Sequence, residues 1–358
     1  MELEHNFPTG ALSDVRPESE KLKDFSSEEL FAGVTQLKWI DWEEWTKNAN
    51  TQKFLEAVKV QNQDGSSSCM AQAGTLCLGI NNYFEEGIYK RFSPRPVYAR
   101  RRNKSGLGMY ADDLGDLLVG QGAIFEDLVP SDGMNETEIN KLEDYLPSYD
   151  IVSKIYRAKS YVYVPKNIDE VASILSQKIP VVILLKFGNG EWAKEVPVII
   201  EGGATPYGHG ITGLPGAYFM FRGQKAILIQ DSWGLESGMF GRRILTEDWF
   251  KKGRVKAVLW FADLDNLAIQ NSSLEKPKYT FTKDMVVSNR SDEVAMLQRC
   301  LGYLTDDKGY LFPLTISPTG YYGGITRSAV KRFQALQNLV PNGSVNESTR
   351  RELNLIFS

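Results

Sequence analysis

The stretch VQNQDGSSSCMAQAGTLCLGINNYF, residues 60–84, joins a glutamine, a Gly/Ser-rich turn and a cysteine to a long apolar-periodic run. After Cys69, apolar or small side chains recur at helical spacing and form one stripe on one face. The serines before Cys69 are suited to cap a helix, so we expect Cys69 at or just inside a helix N-terminus. The stripe consists of Ala73, Leu76, Cys77, Ile80, Tyr83 and Phe84.

Two interpretations of Cys69 follow from this stretch alone. The unpaired N–H groups and the dipole at a helix N-terminus favour a thiolate over a thiol, and the thiolate is the nucleophilic form. A lone cysteine is more commonly a small apolar side chain in a core. The stretch leaves both interpretations open, and the rest of the chain has to separate them.

The composition is that of an ordinary globular protein. Of its 358 residues, 42% are hydrophobic and 24% are charged, which is enough chain for one large domain and a small one. A net charge of −4 gives no reason to expect a nucleic-acid partner, and no apolar run is long enough to span a membrane. The N-terminus is too acidic and polar for a secretory signal, and three cysteines do not make a disulfide framework. We expect a monomer made in a reducing cytoplasm, without cofactor or metal.

Composition and periodicity divide the chain into a polar leader (1–36), a large domain (37–265), a linker (266–289) and a small C-terminal domain (290–358). In the large domain, helical patterns precede strand patterns, which predicts an α+β fold rather than alternating α/β. Helices are predicted at about 53–61, 69–89, 110–119, 136–145 and 168–178, and strands at 160–165, 179–187, 196–200, 208–214, 217–222, 225–234 and 257–263.

A cysteine nucleophile needs a base, and the sequence contains only two histidines. His5 lies in the polar leader, whereas His209 lies in the Gly-rich loop ATPYGHGITGLPG, directly before a strand. A residue of a surface turn is the alternative interpretation of His209. Asp231, at the end of the next long strand, is the predicted acceptor that orients the ring. Trp233 beside it is placed to shield that hydrogen bond from water.

Acyl transfer also needs donors for the oxyanion that forms on the attacked carbonyl. Gln63 precedes the cysteine by a short Gly-containing turn and can offer its side-chain amide across it. The backbone N–H of Cys69 is the second predicted donor. These residues together predict peptide hydrolysis through a thioester.

Several segments resemble those of the papain family of cysteine peptidases, and they follow one another along the chain in the same order as in that family. NQDGSSSCMAQA (62–73) resembles the active-site segment of that family, GHGITGL (208–214) its histidine strand and QDSWG (230–234) its Asn-Ser-Trp-Gly. IDWEEW (40–45) resembles its mature N-terminus, and SGLGMYADDL (105–114) the Gly-rich stretch lining its substrate cleft. The resemblance implies a two-lobed fold, with a helical left lobe and an antiparallel β right lobe. It also implies a cleft with the cysteine on the left and the histidine on the right.

The chain departs from the family pattern at several positions. Met70 stands where the family has Trp, and Ser66 where it has a disulfide-forming Cys. Asp231 stands where it has Asn, and we expect the carboxylate to accept from the imidazole and to stabilise the imidazolium more strongly. Gly108 is the candidate for backbone contact with an extended peptide substrate. The leader is expected to lie extended over the surface and is too short for the family's long inhibitory pro-segment.

Residues 290–358 show three helical faces. The segments LQ…LGYL, GGITRSAVKRFQ and NGSVNESTRREL resemble the peptidoglycan-binding three-helix domain of wall hydrolases, which implies binding to wall glycan or stem peptide without a metal. Thr326 and Asn346 are the predicted N-caps of the second and third helices. A plain three-helix bundle that stabilises an enzyme is the alternative.

Three hypotheses of function result. The first is a cysteine endopeptidase that cleaves wall peptides as an endolysin does, reaching the wall after release from the cell. The second is the same chemistry on ordinary proteins, with the C-terminal domain only localising the enzyme. The third is an inactive wall-binding protein, which Met70 and Asp231 leave open. For the first two, activity should appear as Cys69 ionises and fall as His209 loses its proton.

Overall fold

The computed structural model describes residues 9–17, 37–262, 276–306, 309–312, 320, 322 and 324–358. His5, most of the predicted leader and the first part of the predicted linker lie outside these residues. The chain forms two compact units, Met1–Phe84 with Tyr89–Ala262, and Glu85–Ile88 with Asp263–Ser358. Among the described residues, none of the helices combines the length and hydrophobicity needed to span a bilayer.

Helices come first in the large unit, as the sequence predicts. The helix that begins at Cys69 has small and apolar residues all round, and it is buried along most of its length. The helices up to residue 262 are α1 (Trp42–Trp45), α2 (Ala49–Ala57), α3 (Cys69–Glu86), α4 (Arg95–Ala99), α5 (Ala111–Gly120), α6 (Glu136–Ile139), α7 (Tyr149–Ser153), α8 (Ile168–Ser176) and α9 (Glu247–Lys251), with a 3₁₀ turn at Lys154–Tyr156.

The second half of this unit is a six-stranded antiparallel sheet in the order β1-β6-β2-β3-β4-β5. Its central strand β2 is a nearly continuous β-branched and Leu run, as expected for a strand buried on both faces. The strands are β1 (Ser160–Tyr163), β2 (Val181–Phe187), β3 (Tyr207–Phe221), β4 (Gln224–Gln230), β5 (Arg242–Thr246) and β6 (Val255–Ala262).

The main core lies between the helices and this sheet. A cluster of buried side chains includes Met70 of α3, Leu114 of α5, Leu184 of β2 and Leu259 of β6. Gly74 allows α3 and α5 to pack closely, since a Cβ there would lie 2.7 Å from a methyl of Leu114. The predicted α+β fold is confirmed, and its core joins the two halves around the N-terminal end of α3.

Several details differ from the sequence prediction. Strands predicted at 208–214 and 217–222 are one strand, β3, because a register shift between Gly213 and Tyr218 carries pairing past Pro215. No strand forms at 196–200, where Val198 and Ile200 are half exposed and donate their backbone N–H groups to Glu191. The helix predicted at 136–145 ends at Ile139, and strand β5 was not predicted.

The second unit contains the helices α10 (Asp292–Tyr303), α11 (Gly324–Leu336) and α12 (Glu347–Phe357), and a short hairpin of β7 (Thr305–Asp306) and β8 (Gly309–Tyr310). Asn346 caps α12, as predicted, by accepting from the Thr349 N–H. Thr326 is not an N-cap, because α11 begins at Gly324 and the Thr326 hydroxyl accepts from Gln298. The apolar faces meet in one core.

Candidate active site

Cys69 is the first residue of α3, and its side chain is fully buried. Its Sγ accepts a hydrogen bond from the Gly210 N–H at 3.4 Å, so strand β3 meets the helix N-terminus directly. A Cβ on Gly210 would lie 2.5 Å from Met70 Sδ. Glycine at position 210 and the flexible Met70 side chain are therefore what let the strand approach this close.

The second cysteine of the same helix gives a contrast. Cys77 lies two turns farther on, is equally buried, and burial strongly raises the pKa of its thiol despite a hydrogen bond with Thr212. That environment holds Cys77 as an inert thiol. All three cysteines of the sequence fall in the described part of the chain, and each is free.

His209 lies on β3 opposite Leu185 of β2, with its ring fully buried. Its Nε2 and Asp231 Oδ1 are 2.6 Å apart. Its Nδ1 makes no hydrogen bond of ordinary length and angle among the described residues. Cys69 acts on the ring nonetheless, since the thiol helps to raise the pKa of His209. The structure thus brings the three predicted catalytic residues together in one cluster.

Opposing effects set the charges in this cluster. Burial lowers the pKa of His209, but the charge and hydrogen bond of Asp231 outweigh it, and with Cys69 they raise this pKa to about 9. Burial by itself would raise the pKa of Asp231, yet His209 and Arg243 hold that pKa well below its usual range. At neutral pH the ring is therefore an imidazolium and the carboxyl group a carboxylate.

Asp231 accepts more hydrogen bonds than sequence reasoning anticipates. Besides His209, the Ser232 N–H donates to its Oδ1 at 2.8 Å. Its Oδ2 accepts from Trp192 Nε1 at 3.0 Å and from Arg243 Nε at 2.9 Å. Trp192 and Arg243 are missing from the predicted site. An Asp in a buried position is itself a sign that a cation lies nearby, but the sequence does not show which one.

Aromatic rings enclose the imidazole. Trp233 stacks on His209 with ring centroids 4.6 Å apart and an interplanar angle of 25°. Trp192 and Phe187 meet the imidazole edge to face at 6.1 and 6.3 Å. The predicted shielding by Trp233 is thus shared with residues from two other segments, and together they keep water from the His209–Asp231 pair.

Gln63 is fixed between the two halves of the unit. Its Nε2 donates to the Ser66 carbonyl at 2.7 Å, and its Oε1 accepts from the Ser232 hydroxyl at 2.7 Å. Its backbone N–H donates to the Ser232 carbonyl at 2.8 Å. The Ser66 hydroxyl, at the position of the family's disulfide cysteine, donates to the Gln63 carbonyl at 2.7 Å. Hydrogen bonds thus hold the turn before Cys69.

A short piece of the leader lies against these residues. The N–H groups of Gly10 and Ala11 both donate to the Gly208 carbonyl at 3.0 Å. The Met109 N–H donates to the Gly10 carbonyl at 2.7 Å, and the Leu12 N–H donates to the Met109 carbonyl at 3.1 Å. The pairing of Ala11 with Met109 is parallel. Ala11 is buried in the same cluster as Cys69.

Gly108, the candidate for peptide contact, borders this segment. It has φ +80°, and a Cβ there would lie 2.1 Å from the Gly10 carbonyl oxygen. Its own N–H donates to the Tyr98 hydroxyl and its carbonyl accepts from Asn103, so the strand-like bonds to the segment come from Met109. Gly108 provides the close approach rather than the hydrogen bonds.

Comparison with solved structures bears on the large unit. Xylellain, a cysteine protease from Xylella fastidiosa, aligns with a TM-score of 0.54 and 16% identity over 74% of this chain and 99% of its own. A structure from a study of the mite allergens Blo t 1 and Der p 1 aligns with a TM-score of 0.50 and 15% identity over 68% and 77%. The fold is papain-like. This likeness in fold confirms the two-lobed architecture that the family resemblance of the sequence implies.

The other comparisons bear on the C-terminal unit and on the whole chain. Residues 290–353 match the family model described as "Putative peptidoglycan binding domain". The predicted three-helix region and its family resemblance are thereby confirmed. A comparison with curated proteins finds no match.

Proposed function

We propose that this chain is a cysteine endopeptidase that cleaves peptide bonds in bacterial peptidoglycan, held at its substrate by residues 290–353. The observation that carries the proposal is the single buried cluster of Cys69, His209 and Asp231 at the N-terminus of α3. The papain-like fold and the match to the peptidoglycan-binding family support it.

The first chemical step is attack by the Cys69 sulfur on the scissile peptide bond. The Cys69 thiolate attacks the peptide carbonyl carbon, and its electron pair forms the new C–S bond. His209 is protonated at neutral pH, so Nδ1 can give its proton to the leaving amine as the C–N bond breaks. In the second step Nδ1 takes a proton from water, whose oxygen attacks the thioester carbon. The C–S bond then breaks, its electron pair returns to Cys69 as the thiolate, and the carboxylic acid leaves. Asp231 keeps the ring in place through Nε2.

The oxyanion of each step needs donors beside Cys69. The N–H of the first residue of a helix has no acceptor within that helix, so the Cys69 N–H is one candidate. Gln63 is the other, and its rigid anchoring to Ser66 and Ser232 supports that role, because a preorganised donor needs no rearrangement during reaction.

A substrate peptide has to enter where the leader segment lies. Gly10 and Ala11 occupy backbone groups of Gly208 and Met109, which an extended peptide in the cleft would use. Cys69 and His209 have no exposed surface in this arrangement. Turnover therefore requires the segment to leave the cleft.

The C-terminal unit supplies the proposed location. Binding of residues 290–353 to wall glycan or stem peptide would raise the local concentration of cleavable bonds around the enzyme. We propose an endolysin-like role, in which a monomer made in the cytoplasm reaches the wall when the cell lyses.

Mass spectrometry of purified walls digested with the wild-type chain tests this function by identifying the bond cut. Cys69→Ala should lower cleavage of walls and of a dye-labelled peptide at least about a thousandfold, because no other group supplies the nucleophile. Cys77→Ala, a buried thiol on the same helix, is the matched control and should keep activity per folded molecule. Equal activity of Cys69→Ala and wild type would refute the proposal. Cleavage of denatured protein without wall products would favour a general protease localised by its C-terminal unit.

A further inference from the structure

Arg243 is buried beside the catalytic cluster, and each of its three guanidinium nitrogens donates a hydrogen bond there. Only 2% of its surface is exposed. Its Nε donates to Asp231 Oδ2 at 2.9 Å, its Nη1 to the Lys194 carbonyl at 2.6 Å and its Nη2 to the Ser237 hydroxyl at 2.5 Å. The two carboxylate oxygens of Asp231 are thus divided, one toward His209 and the other toward Arg243 and Trp192.

The charge balance of the cluster explains why an arginine is needed. In the reactive state that the proposed mechanism requires, a thiolate on Cys69 and an imidazolium on His209 sum to zero, so a carboxylate on Asp231 alone would leave one buried negative charge. An unbalanced buried charge is strongly destabilising. Arg243 restores neutrality. The pair of Asp231 and Arg243 is then equivalent in charge to the neutral Asn that the resembled family has at this position.

We infer that Arg243 is a positioning residue of the catalytic site: it neutralises Asp231 and fixes the carboxylate that orients His209. The inference rests on the proposed role of His209 as the base. It also accounts for the departure from Asn at position 231, since the carboxylate is usable only with its buried partner.

The strongest electrostatic effects on the catalytic pair come from within the cluster itself. Among titratable groups, the largest effects on His209 come from Asp231 and Cys69, and the largest effects on Asp231 come from His209 and Arg243. Trp192 Nε1 and the Ser232 N–H are neutral donors to the same carboxylate. In a pH–rate profile, the acidic limb follows ionisation of Cys69 and the alkaline limb follows loss of the His209 proton. Shifts of these two limbs therefore report the charges of this cluster.

The experiment is a double-mutant cycle read as pH profiles. Arg243→Met removes a positive charge, so both limbs should move to higher pH by about one unit or more. Asp231→Asn removes a negative charge, so both limbs should move to lower pH. In the double variant the two shifts should cancel and the limbs return close to the wild-type positions. Its rate should stay below that of wild type. If the oxygen of the introduced Asn side chain accepts from His209, its NH2 group faces the Trp192 N–H, and two donors cannot form a hydrogen bond.

A matched control separates this role from a structural one. Arg95→Met removes another buried arginine, which pairs with Asp144 in the same unit and makes no hydrogen bond to the catalytic cluster. It should lower the melting temperature without moving either limb. Unmoved limbs in a folded Arg243→Met variant, or shifts that add instead of cancelling in the double variant, would overturn the inference.

A second readout does not depend on turnover. The sequence has only two histidines, so NMR titration of ring protons in a His5→Ala background follows His209 alone. Its pKa should rise in Arg243→Met and fall in Asp231→Asn. If the wild-type chain cleaves no peptide, the proposed function fails, yet this titration still decides whether Arg243 sets the charge of the cluster. An unchanged titration in Arg243→Met would overturn the inference even in an active enzyme.

Discussion

The two units of this chain each bury a polar cluster, and the clusters differ in kind. In the large unit, Asp231 joins charged partners, and the ring nitrogen His209 Nδ1 is left without a regular hydrogen bond. In the second unit, Gln334 donates to the Ser344 carbonyl at 2.8 Å and to the Thr349 hydroxyl at 3.0 Å. Its Oε1 accepts from the Gly343 N–H at 2.8 Å. The first cluster is charged and incomplete, and the second is neutral and satisfied.

This difference separates chemistry from structure. A buried group left unsatisfied costs free energy, and such groups persist where a reactant will later complete them. The satisfied Gln334 amide instead fixes the turn at Gly343, which has φ +77°. We therefore expect the first cluster to respond to pH and to substrate, and the second to affect only folding and wall binding.

Among the ways to separate the two clusters, the largest effect is expected from the response of the charged cluster to alkali. Activity on a soluble peptide should fall about tenfold for each pH unit above 9, because His209 loses the proton that the leaving amine needs. Measurement of kcat/KM from pH 6 to 11, with circular dichroism to confirm folding, checks it. A constant rate across this range would remove His209 from the mechanism.

The free energy of unfolding should depend on pH through His209 and Asp231, and the direction of each pKa shift sets the sign of that dependence. The pKa of His209 is raised from 6.5 to about 9, so its contribution is complete below about pH 6.5 and is lost as pH rises to 9. The pKa of Asp231 is lowered from 3.8, so its contribution is present above about pH 4 and is lost as pH falls. The Gln334 amide does not titrate, so its contribution to stability should be the same at acidic and at alkaline pH.

The sequence identifies the reactive half of the charged cluster but not its supports. Cys69 stands before a helical stripe, and His209 is one of only two histidines, so few choices remain. Arg243 lies on β5, whose sequence RRILT begins with two arginines and shows no alternation of polar and apolar residues. Trp192 lies in an irregular loop. Both reach Asp231 only through the folded sheet, which local patterns do not encode.

The leader shows the same limit. The sequence predicts an extended leader on the surface, but residues 10 and 11 are buried in the cleft. Two small residues carry no periodicity, and their place depends on free backbone groups of Gly208 and Met109 that belong to distant segments. A backbone-to-backbone interaction of this kind leaves no side-chain signal in the sequence.

A smaller effect is predicted for the segment that covers the charged cluster. A Cβ on Gly10 would lie 1.9 Å from the Ser67 carbonyl oxygen, which belongs to the turn before Cys69. Gly10→Ala should weaken the covered state by about 1–3 kcal/mol. Activity on a soluble peptide should then rise about tenfold, as measured by initial rates at low substrate concentration.

The control for this change is Gly120→Ala, where a Cβ has open space, and its rate should equal that of wild type. A loss of activity in Gly10→Ala would contradict the closed-cleft interpretation. It would mean that the segment supports the geometry around Cys69 instead of blocking it.

The smallest effect on catalysis is expected from the neutral cluster. Gln334→Ala leaves the Gly343 N–H and the Thr349 hydroxyl without the amide, which should lower the free energy of unfolding by about 1–3 kcal/mol. Binding to purified walls should weaken, since the turn before α12 loses its anchor, while cleavage of a soluble peptide per folded molecule should not change. Ser328→Ala, at an exposed position of the same helix, is the control for both assays. If peptide cleavage fell as far as wall binding, the neutral cluster would be part of the catalytic machinery, and the separation between the two clusters would not hold.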